Sequence, residues 1–170
     1  MKKGLFFIAT AVVLLCSNAT AQDVRVKYND KIDRWCFMNI RSNVQAGDIV
    51  LGGSMEYVRS YEGSWYYIVK GLNDMIGVVK SPSFSIWLID CNFSDIHFLD
   101  GFSDYGLFLV KKKGSYGVMD ASGKMLIPCE YQRIINEGNT KIQVRSWDNK
   151  DVVLRMHDIV RGVIDLTPIK

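Results

Sequence analysis

Two nine-residue segments of this chain share one pattern. Residues 88–96 and 126–134 align without gaps at an offset of 38, and the aligned Leu, Ile, Cys and final Ile are identical. An aromatic residue also holds the same position, Phe93 in one segment and Tyr131 in the other. Self-similarity at a fixed period is typical of repeat architectures. The chain is therefore expected to fold as an array of similar units, which favours a binding surface over a catalytic pocket.

Three units emerge from the similarity, at roughly 49–80, 86–120 and 125–166. Each contains short runs rich in Val, Ile, Tyr, Phe and Trp, bounded by Gly, Asn, Asp and Ser, as strands and turns are. No segment of about twelve residues or more has the apolar spacing of an amphipathic helix. The sequence therefore predicts an all-β fold, an antiparallel β-repeat array of about three units with N-terminal edge strands.

Two positions recur in the predicted units. An aromatic anchor stands at Tyr57, Phe93 and Tyr131, which are 36 and 38 residues apart. A Gly-Val pair, expected to begin a strand after a polar turn, stands at Gly77, Gly117 and Gly162. These positions are expected to form the shared core of the array.

One stretch of the chain resembles a known repeat family. Residues 113–120 read Lys-Gly-Ser-Tyr-Gly-Val-Met-Asp, and residues 122–128 read Ser-Gly-Lys-Met-Leu-Ile-Pro. With Tyr131 and Ile134 they resemble the WG (WG-containing) β-repeat, whose units carry K-x-G-K-W-G-[YF]-I-D and x-G-K-x-I-I-P. The resemblance covers roughly 49–166 with one good copy. It implies an all-β repeat array, often exported or surface-associated in bacteria, with no established catalytic residues.

The chain departs from the family pattern at two positions. The signature Trp before Gly is replaced by Ile76, Tyr116 and Arg161 in the three units, and the Asp expected after Tyr131 is Gln132. Loss of the Trp affects the packing of the units more than their topology. Pro128 is expected early in its strand, where its missing N–H costs least.

The segment 22–48 precedes the units and is expected to supply edge strands that cap them, because terminal repeats need a polar outer face. A competing resemblance covers 39–80 and points to bacterial SH3-like modules. It rests on Asn39-Ile40-Arg41, Trp65-Tyr66-Tyr67-Ile68 and Gly77-Val78-Val79. This alternative implies a module that binds peptidoglycan or a peptide.

The first 21 residues have the pattern of a cleaved signal peptide. A basic start precedes an apolar run at 5–15, and Ala19-Thr20-Ala21 forms an A-x-A cleavage site. The mature chain is expected to begin at Gln22, to be exported to the periplasm or beyond, and to contain no transmembrane segment. Lipid attachment at Cys16 is disfavoured, because the residue before it is not small.

Charge and composition give little information about partners. The chain has 21 basic and 18 acidic side chains, and removal of Lys2 and Lys3 leaves the mature protein close to neutral. A near-neutral exported protein is not expected to bind nucleic acid. The expected partner is an unknown protein or envelope polymer, and the oligomeric state does not follow from the sequence.

The cysteines of the mature chain, Cys36, Cys91 and Cys129, allow two interpretations. Export favours oxidation, so one disulfide and one free thiol would fit. Alternatively, Cys91 and Cys129 fill equivalent small core positions in two repeats, which is the interpretation that we favour. No C-x-x-C pair or Cys/His spacing suits zinc, and no cofactor is expected.

Five residues are the candidates for ligand binding. Trp65 and Tyr67 share one face of a predicted strand and could stack on a sugar ring or grip a peptide. Lys111, Lys112 and Lys113 could attract an anionic polymer. Core packing of the aromatic residues and solvation of the lysines are the competing interpretations.

No constellation in the sequence predicts catalysis. His97 with Asp100 and Asp104 is the best cation site available, yet the residues between them suit an ordinary loop, and no metal is expected. Cys91 and Cys129 lie in apolar runs, where burial blunts a thiol. The leading hypothesis is an exported, non-enzymatic binding or scaffolding module, and a small exported hydrolase is a distant alternative.

Overall fold

The structure is a computed structural model that describes residues 23–99 and 101–169. Its strands form antiparallel sheets in which strand order follows chain order. Sheet 1 contains β1 (Val24–Asn29), β2 (Arg34–Asn39) and β3 (Gln45–Leu51). Sheet 2 contains β4 (Glu56–Tyr61), β5 (Ser64–Lys70), β6 (Ile76–Lys80) and β7 (Trp87–Phe93).

The second half of the chain repeats this plan. Sheet 3 contains β8 (Asp95–Phe98), β9 (Leu107–Lys112), β10 (Ser115–Asp120) and β11 (Met125–Tyr131). Sheet 4 contains β12 (Arg133–Gly138), β13 (Lys141–Arg145) and β14 (Asp151–Arg155). Two short helices, α1 (Phe102–Tyr105) and α2 (Met156–Val160), and a 3₁₀ turn at Thr167–Ile169 complete the described residues. The predicted all-β fold is confirmed.

The inner sheets 2 and 3 are apolar on both faces. In β5, Tyr66 and Ile68 pack into the second core, between sheets 2 and 3, whereas Tyr67 and Val69 pack into the first core, between sheets 1 and 2. In β9, likewise, Phe108 faces the second core and Leu107 the third, between sheets 3 and 4. Because successive side chains of a strand point to opposite faces, each inner sheet closes two cores.

Sheets 1 and 4 end the stack. In β1, Val24 and Val26 are buried in the first core while Arg25 and Lys27 are exposed. In β13, Ile142 is fully buried in the third core. In β1 and β13 this alternation turns polar side chains outward, as expected for strands of terminal repeats.

The chain passes from sheet 2 to sheet 3, and from sheet 3 to sheet 4, through a single residue. Ser94 alone separates β7 from β8, and Gln132 alone separates β11 from β12. Both residues donate their backbone N–H to the following hairpin, Ser94 to the Lys111 carbonyl and Gln132 to the Arg145 carbonyl. Strands that change sheet at a bend are a known way of making the corners of packed sheets.

The recurring cysteine packs onto the recurring glycine of the neighbouring strand. A Cβ on Gly117 would lie 2.6 Å from the carbonyl oxygen of Ile127 and 2.9 Å from the Sγ of Cys129. A Cβ on Gly77 would lie 2.8 Å from the Sγ of Cys91. The strand register shifts beside both glycines, which brings the neighbouring backbone close. Only glycine fits this approach, so glycine and cysteine recur together.

The structure corrects the assignment of Tyr57 as an anchor equivalent to Phe93 and Tyr131. Phe93 and Tyr131 end β7 and β11 and are buried, and the residue that ends β3 in the same way is Leu51, also buried. Tyr57 lies in β4, one strand later, and is 57% exposed. The alignment failed because residues 52–55 separate β3 from β4, where the later units use one residue.

The strand predicted to begin at Gly162 does not form. Gly162 has a φ of +72° and donates its N–H to the Ile159 carbonyl at 3.0 Å, immediately after α2. A left-handed glycine just beyond the last helical residue is a common helix stop. The last strand of sheet 4 is β14 instead, so the third Gly-Val pair and its Arg161 have no counterpart of the WG position.

Residues 39–80 do not form a separate SH3-like module. Their first strand, β3, pairs with β2 in sheet 1, whereas β4, β5 and β6 continue into β7 as sheet 2. Residues from both sheets share the first core, and the loop residue Phe84 packs there against Phe37 with ring centroids 4.9 Å apart. The continuous stacking with residues beyond 80 counts against this alternative.

Deletion of residues 22–48 is predicted to destabilise the whole array. It removes β1, β2 and half of β3, which exposes Tyr67, Val69 and Phe84. A fully buried large apolar side chain contributes about 1.5–3 kcal/mol, so the free energy of unfolding should fall by at least about 3 kcal/mol. Denaturant unfolding followed by circular dichroism measures this. Lys27→Thr, on the exposed face of β1, should leave stability nearly unchanged, and an unaltered melting temperature in the truncation would refute the capping role.

Gly117→Ala is predicted to destabilise the fold by about 1–3 kcal/mol, the usual cost of overpacking a core. The added methyl group would press on the Ile127 carbonyl and the Cys129 thiol. Gly53→Ala is the matched control, since the nearest atom to its added Cβ would be a Lys70 side-chain carbon 3.9 Å away. Equal effects of the two substitutions in chemical denaturation would contradict the close-packing explanation.

Candidate functional site

β4 is an edge strand of sheet 2 and pairs only with β5. The hairpin closes through a two-residue turn at Glu62 and Gly63, whose φ values are +47° and +72°. These angles are those of the type I′ turn that favours tight hairpins. The pairing has no register shift along its length. The backbone of β4 is therefore regular along its unpaired edge.

The turn geometry determines which backbone groups of β4 face outward. Residues that flank a two-residue turn exchange hydrogen bonds, and bonded pairs then alternate along the strand. Tyr61, Arg59 and Tyr57 therefore bond to β5. The backbone groups of Val58 and Ser60 point to the open edge, and within the described part of the chain no other backbone group pairs with them.

The other edges of the inner sheets are interrupted. β7 and β11 each contain two register shifts against their neighbours, and β8 is only four residues long. Pro128 lies in the middle of β11 rather than early in it as predicted from the sequence. Because β11 is an edge strand, the missing N–H of the proline costs no hydrogen bond when it faces the open side. Bulges, short length and proline are common protections of sheet edges, and β4 has none of them.

A cleft of about 200 Å³ opens beside β4, between the edges of sheets 2 and 3. Its floor is apolar, because Ile68 of β5 and Ile96 of β8 are both buried. Its rim is polar and aromatic, with the exposed side chains of Tyr57, Arg59 and His97. An apolar floor with a few polar groups is the usual composition of a ligand site.

Of the two basic side chains at the rim of the cleft, one has a carboxylate partner and the other has none in the described part of the chain. The Nε2 of His97 lies 2.8 Å from the Oδ2 of Asp95, so this imidazole already has a carboxylate. The exposed Arg59 donates to the Val58 carbonyl at 3.4 Å, and no acidic side chain within 23–99 or 101–169 forms an ion pair with it. Arg59 is therefore a fixed positive charge available to a ligand carboxylate.

Residues 116–145 match the family model of the WG containing repeat. This segment is similar to the WG repeat. The match confirms the resemblance predicted from the sequence in its best copy. No curated protein and no solved structure matches the chain.

The structure explains the pattern of the WG repeat. The Asp120 carboxylate accepts hydrogen bonds from the N–H groups of Ser122 and Lys124, at 2.8 and 3.0 Å, which closes the turn between β10 and β11. Gly123 has a φ of +84° in that turn, and a Cβ there would lie 2.8 Å from the Leu88 carbonyl oxygen. The turn thus packs against sheet 2, so this part of the repeat helps to build the stack.

The aromatic candidates Trp65 and Tyr67 are part of the first core. Tyr67 has no exposed surface, and its ring packs 5.4 Å from those of Phe37 and Phe84. Trp65 is half-buried at the edge of the same core. The predicted sharing of one face is confirmed, but that face is covered by sheet 1. Tyr67 is thus corrected from a ligand contact to a core residue.

The lysine candidates lie on different sides of the β9–β10 hairpin. The Nζ of Lys111 lies 4.8 Å from the Tyr116 ring centre, and the Nζ of Lys112 lies 5.5 Å from that of Phe93. Lys113 is exposed in the turn with a φ of +50°. Because Lys111 and Lys112 alternate across the strand, their side chains do not converge on one anion.

The three thiols within residues 23–99 and 101–169 are free, and their burial suppresses ionisation. Cys36 is buried, while Cys91 and Cys129 are half-buried. Burial raises the pKa of Cys91 to about 11 and also raises the pKa values of Cys36 and Cys129. A protonated thiol is a poor nucleophile. The packing of Cys91 and Cys129 on glycine fits equivalent core positions rather than a disulfide.

The cation site considered around His97 finds no support in the described residues. Asp100 lies outside them, and no group of three or more His, Cys, Asp or Glu side chains within 23–99 and 101–169 could hold a metal ion. None of the helices in these ranges is long and apolar enough to cross a membrane.

Cys91 is predicted to be alkylated only at strongly alkaline pH. In the folded protein its reaction with iodoacetamide should rise with a midpoint near pH 11, against about 9 in urea, since the usual thiol value is 9.0. Because the unfolded thiol ionises near pH 9 and the folded thiol only near pH 11, ionisation favours the unfolded state between these values. The stability that the protonated Cys91 contributes is therefore full below pH 9 and is lost as the pH rises toward 11. Peptide mapping by mass spectrometry resolves the site. A folded-state midpoint at or below pH 9 would contradict the burial.

Proposed function

We propose that this chain is an exported, non-enzymatic β-repeat protein that acts as a binding or scaffolding module at the cell envelope or outside the cell. The observation that carries the proposal is the uninterrupted edge of β4 with its adjoining cleft. Here an apolar floor, an exposed tyrosine and an unpaired arginine converge on a surface that the WG repeat itself does not need.

The chemistry of the described side chains supports binding over catalysis. The thiols are held protonated by burial, so the nucleophile of a cysteine hydrolase is suppressed. The His97–Asp95 pair is exposed to solvent, and no described nucleophile forms a hydrogen bond with its imidazole. The cores are filled by side chains from successive sheets, which suits a rigid scaffold.

Export is supported by the sequence of the first 21 residues, with their apolar run and A-x-A site. The mature protein beginning at Gln22 should be recovered from the periplasm or medium of an expressing bacterium. Its intact mass identifies the cleavage site directly. Retention of the full-length chain inside the cell would count against export.

Binding is predicted to depend on the cleft. Mature protein should cosediment with, or be cross-linked to, an envelope component, and Tyr57→Ala should weaken this by at least about fivefold, as loss of an exposed aromatic contact does. Val153→Ala, at an exposed position of β14, is the matched control. Both variants should keep the wild-type melting temperature. Equal binding by both variants would remove the cleft from the proposal.

The non-enzymatic part of the proposal has its own test. Mature protein is expected to release no product from peptidoglycan fragments, esters or peptides over long incubation. Turnover that disappears in Cys36→Ala or His97→Ala would overturn it and restore the exported hydrolase.

A further inference from the structure

We propose that the open edge of β4 takes an extended segment of a partner protein as an additional strand of sheet 2, with an acidic side chain of that segment on Arg59. This rests on the proposed function of the chain as a binding module and names the chemistry of its partner. The segment would run beside Val58 and Ser60 and over the cleft between sheets 2 and 3.

The backbone of β4 supplies the main-chain part of the recognition. The N–H and C=O groups of Val58 and Ser60 face the open edge, as the register from the Glu62–Gly63 turn requires. The Val58 carbonyl accepts from the Arg59 guanidinium at 3.4 Å, and an added strand would replace this hydrogen bond and release the guanidinium for a carboxylate. Ser60 is exposed, so the edge is open to solvent there. Addition of a strand to such an edge derives its affinity from main-chain hydrogen bonds that are independent of the partner's sequence.

The side chains of β4 supply the selectivity. Tyr57 and Arg59 lie on the sheet-3 face of β4, because they pair with Ile68 and Tyr66, which pack into the second core. Alternate side chains of an added strand would point to the same face. One apolar side chain can then enter the cleft above Ile96, and a carboxylate two residues away, on the same face, can pair across the strands with Arg59.

The charge of this edge favours an acidic segment over a second copy of this chain. If two β4 strands paired edge to edge, the two Arg59 side chains would lie on the sheet-3 face. Neither strand would supply a carboxylate on that face. The acid of β4, Glu56, points to the opposite face, where its Oε2 accepts from the Val26 N–H at 3.3 Å. Self-pairing would leave both guanidinium groups without a partner, whereas an acidic segment pairs the charge.

The experiment uses the mature chain and a displayed library of random twelve-residue peptides. Peptides enriched on the wild-type protein are expected to contain alternating apolar residues with at least one Asp or Glu. A synthetic copy of one enriched peptide is then titrated, and amide hydrogen exchange is followed by NMR. Binding should slow exchange selectively at Ser60 and Val58.

Ser60→Pro is the decisive variant. Proline removes the outward N–H of Ser60 but no hydrogen bond to β5, so the fold should persist while peptide affinity falls at least about tenfold. Ser60→Thr keeps the N–H and is the matched control. Arg59→Glu should reverse the preference, so that peptides with Lys replace those with Asp or Glu.

Each other result contradicts the inference. A library with no enrichment, or binding unchanged in a folded Ser60→Pro, would exclude strand addition at β4. A dimer in sedimentation that is lost in Ser60→Pro would assign the edge to a second copy instead. If an envelope polymer binds through Tyr57 while every peptide result is negative, the binding module stands and only the strand addition fails.

Discussion

The structure depends on the apolar character of both faces of sheets 2 and 3. A sheet such as β4–β7 places Tyr66 on one side and Tyr67 on the other, and both are almost completely buried. Neither face can be left in water, because each large side chain contributes about 1.5–3 kcal/mol when buried. Sheets 1 and 4 are therefore required by the inner sheets, and the stack ends where β1 and β13 present polar residues outward.

The fold was predictable where one short motif determines local packing. The Leu-Ile and Cys positions of residues 88–96 and 126–134 indicated equivalent strands because the Gly-over-Cys contact needs both residues in each unit. The third unit was not predictable in the same way. At Gly162 the same Gly-Val letters follow a helix, and a glycine that ends a helix cannot be told from one that accommodates a neighbouring strand without knowing what precedes it.

The sequence did not predict most of the candidate site. The spacing to Phe93 and Tyr131 predicts Tyr57 as a core residue, yet it is exposed. Trp65 and Tyr67 are candidate ligand contacts in the sequence, whereas Tyr67 lies in the first core and Trp65 at its edge. Which tyrosine is exposed depends on the length of the connection at 52–55. The alternation of apolar and polar residues does not by itself determine where a strand lies within a sheet. The tight Glu62-Gly63 turn was the available signal for a regular hairpin edge.

The central claim is that the sheets form one cooperative stack, with inner sheets that cannot exist alone. Native-state hydrogen exchange as a function of denaturant tests it most directly, because it resolves the free energy of opening for each strand. We expect amides of β5, β6, β9 and β10 to converge on a single global opening free energy. Separate opening energies for sheets 2 and 3, with one sheet remaining protected while the other exchanges, would contradict the account.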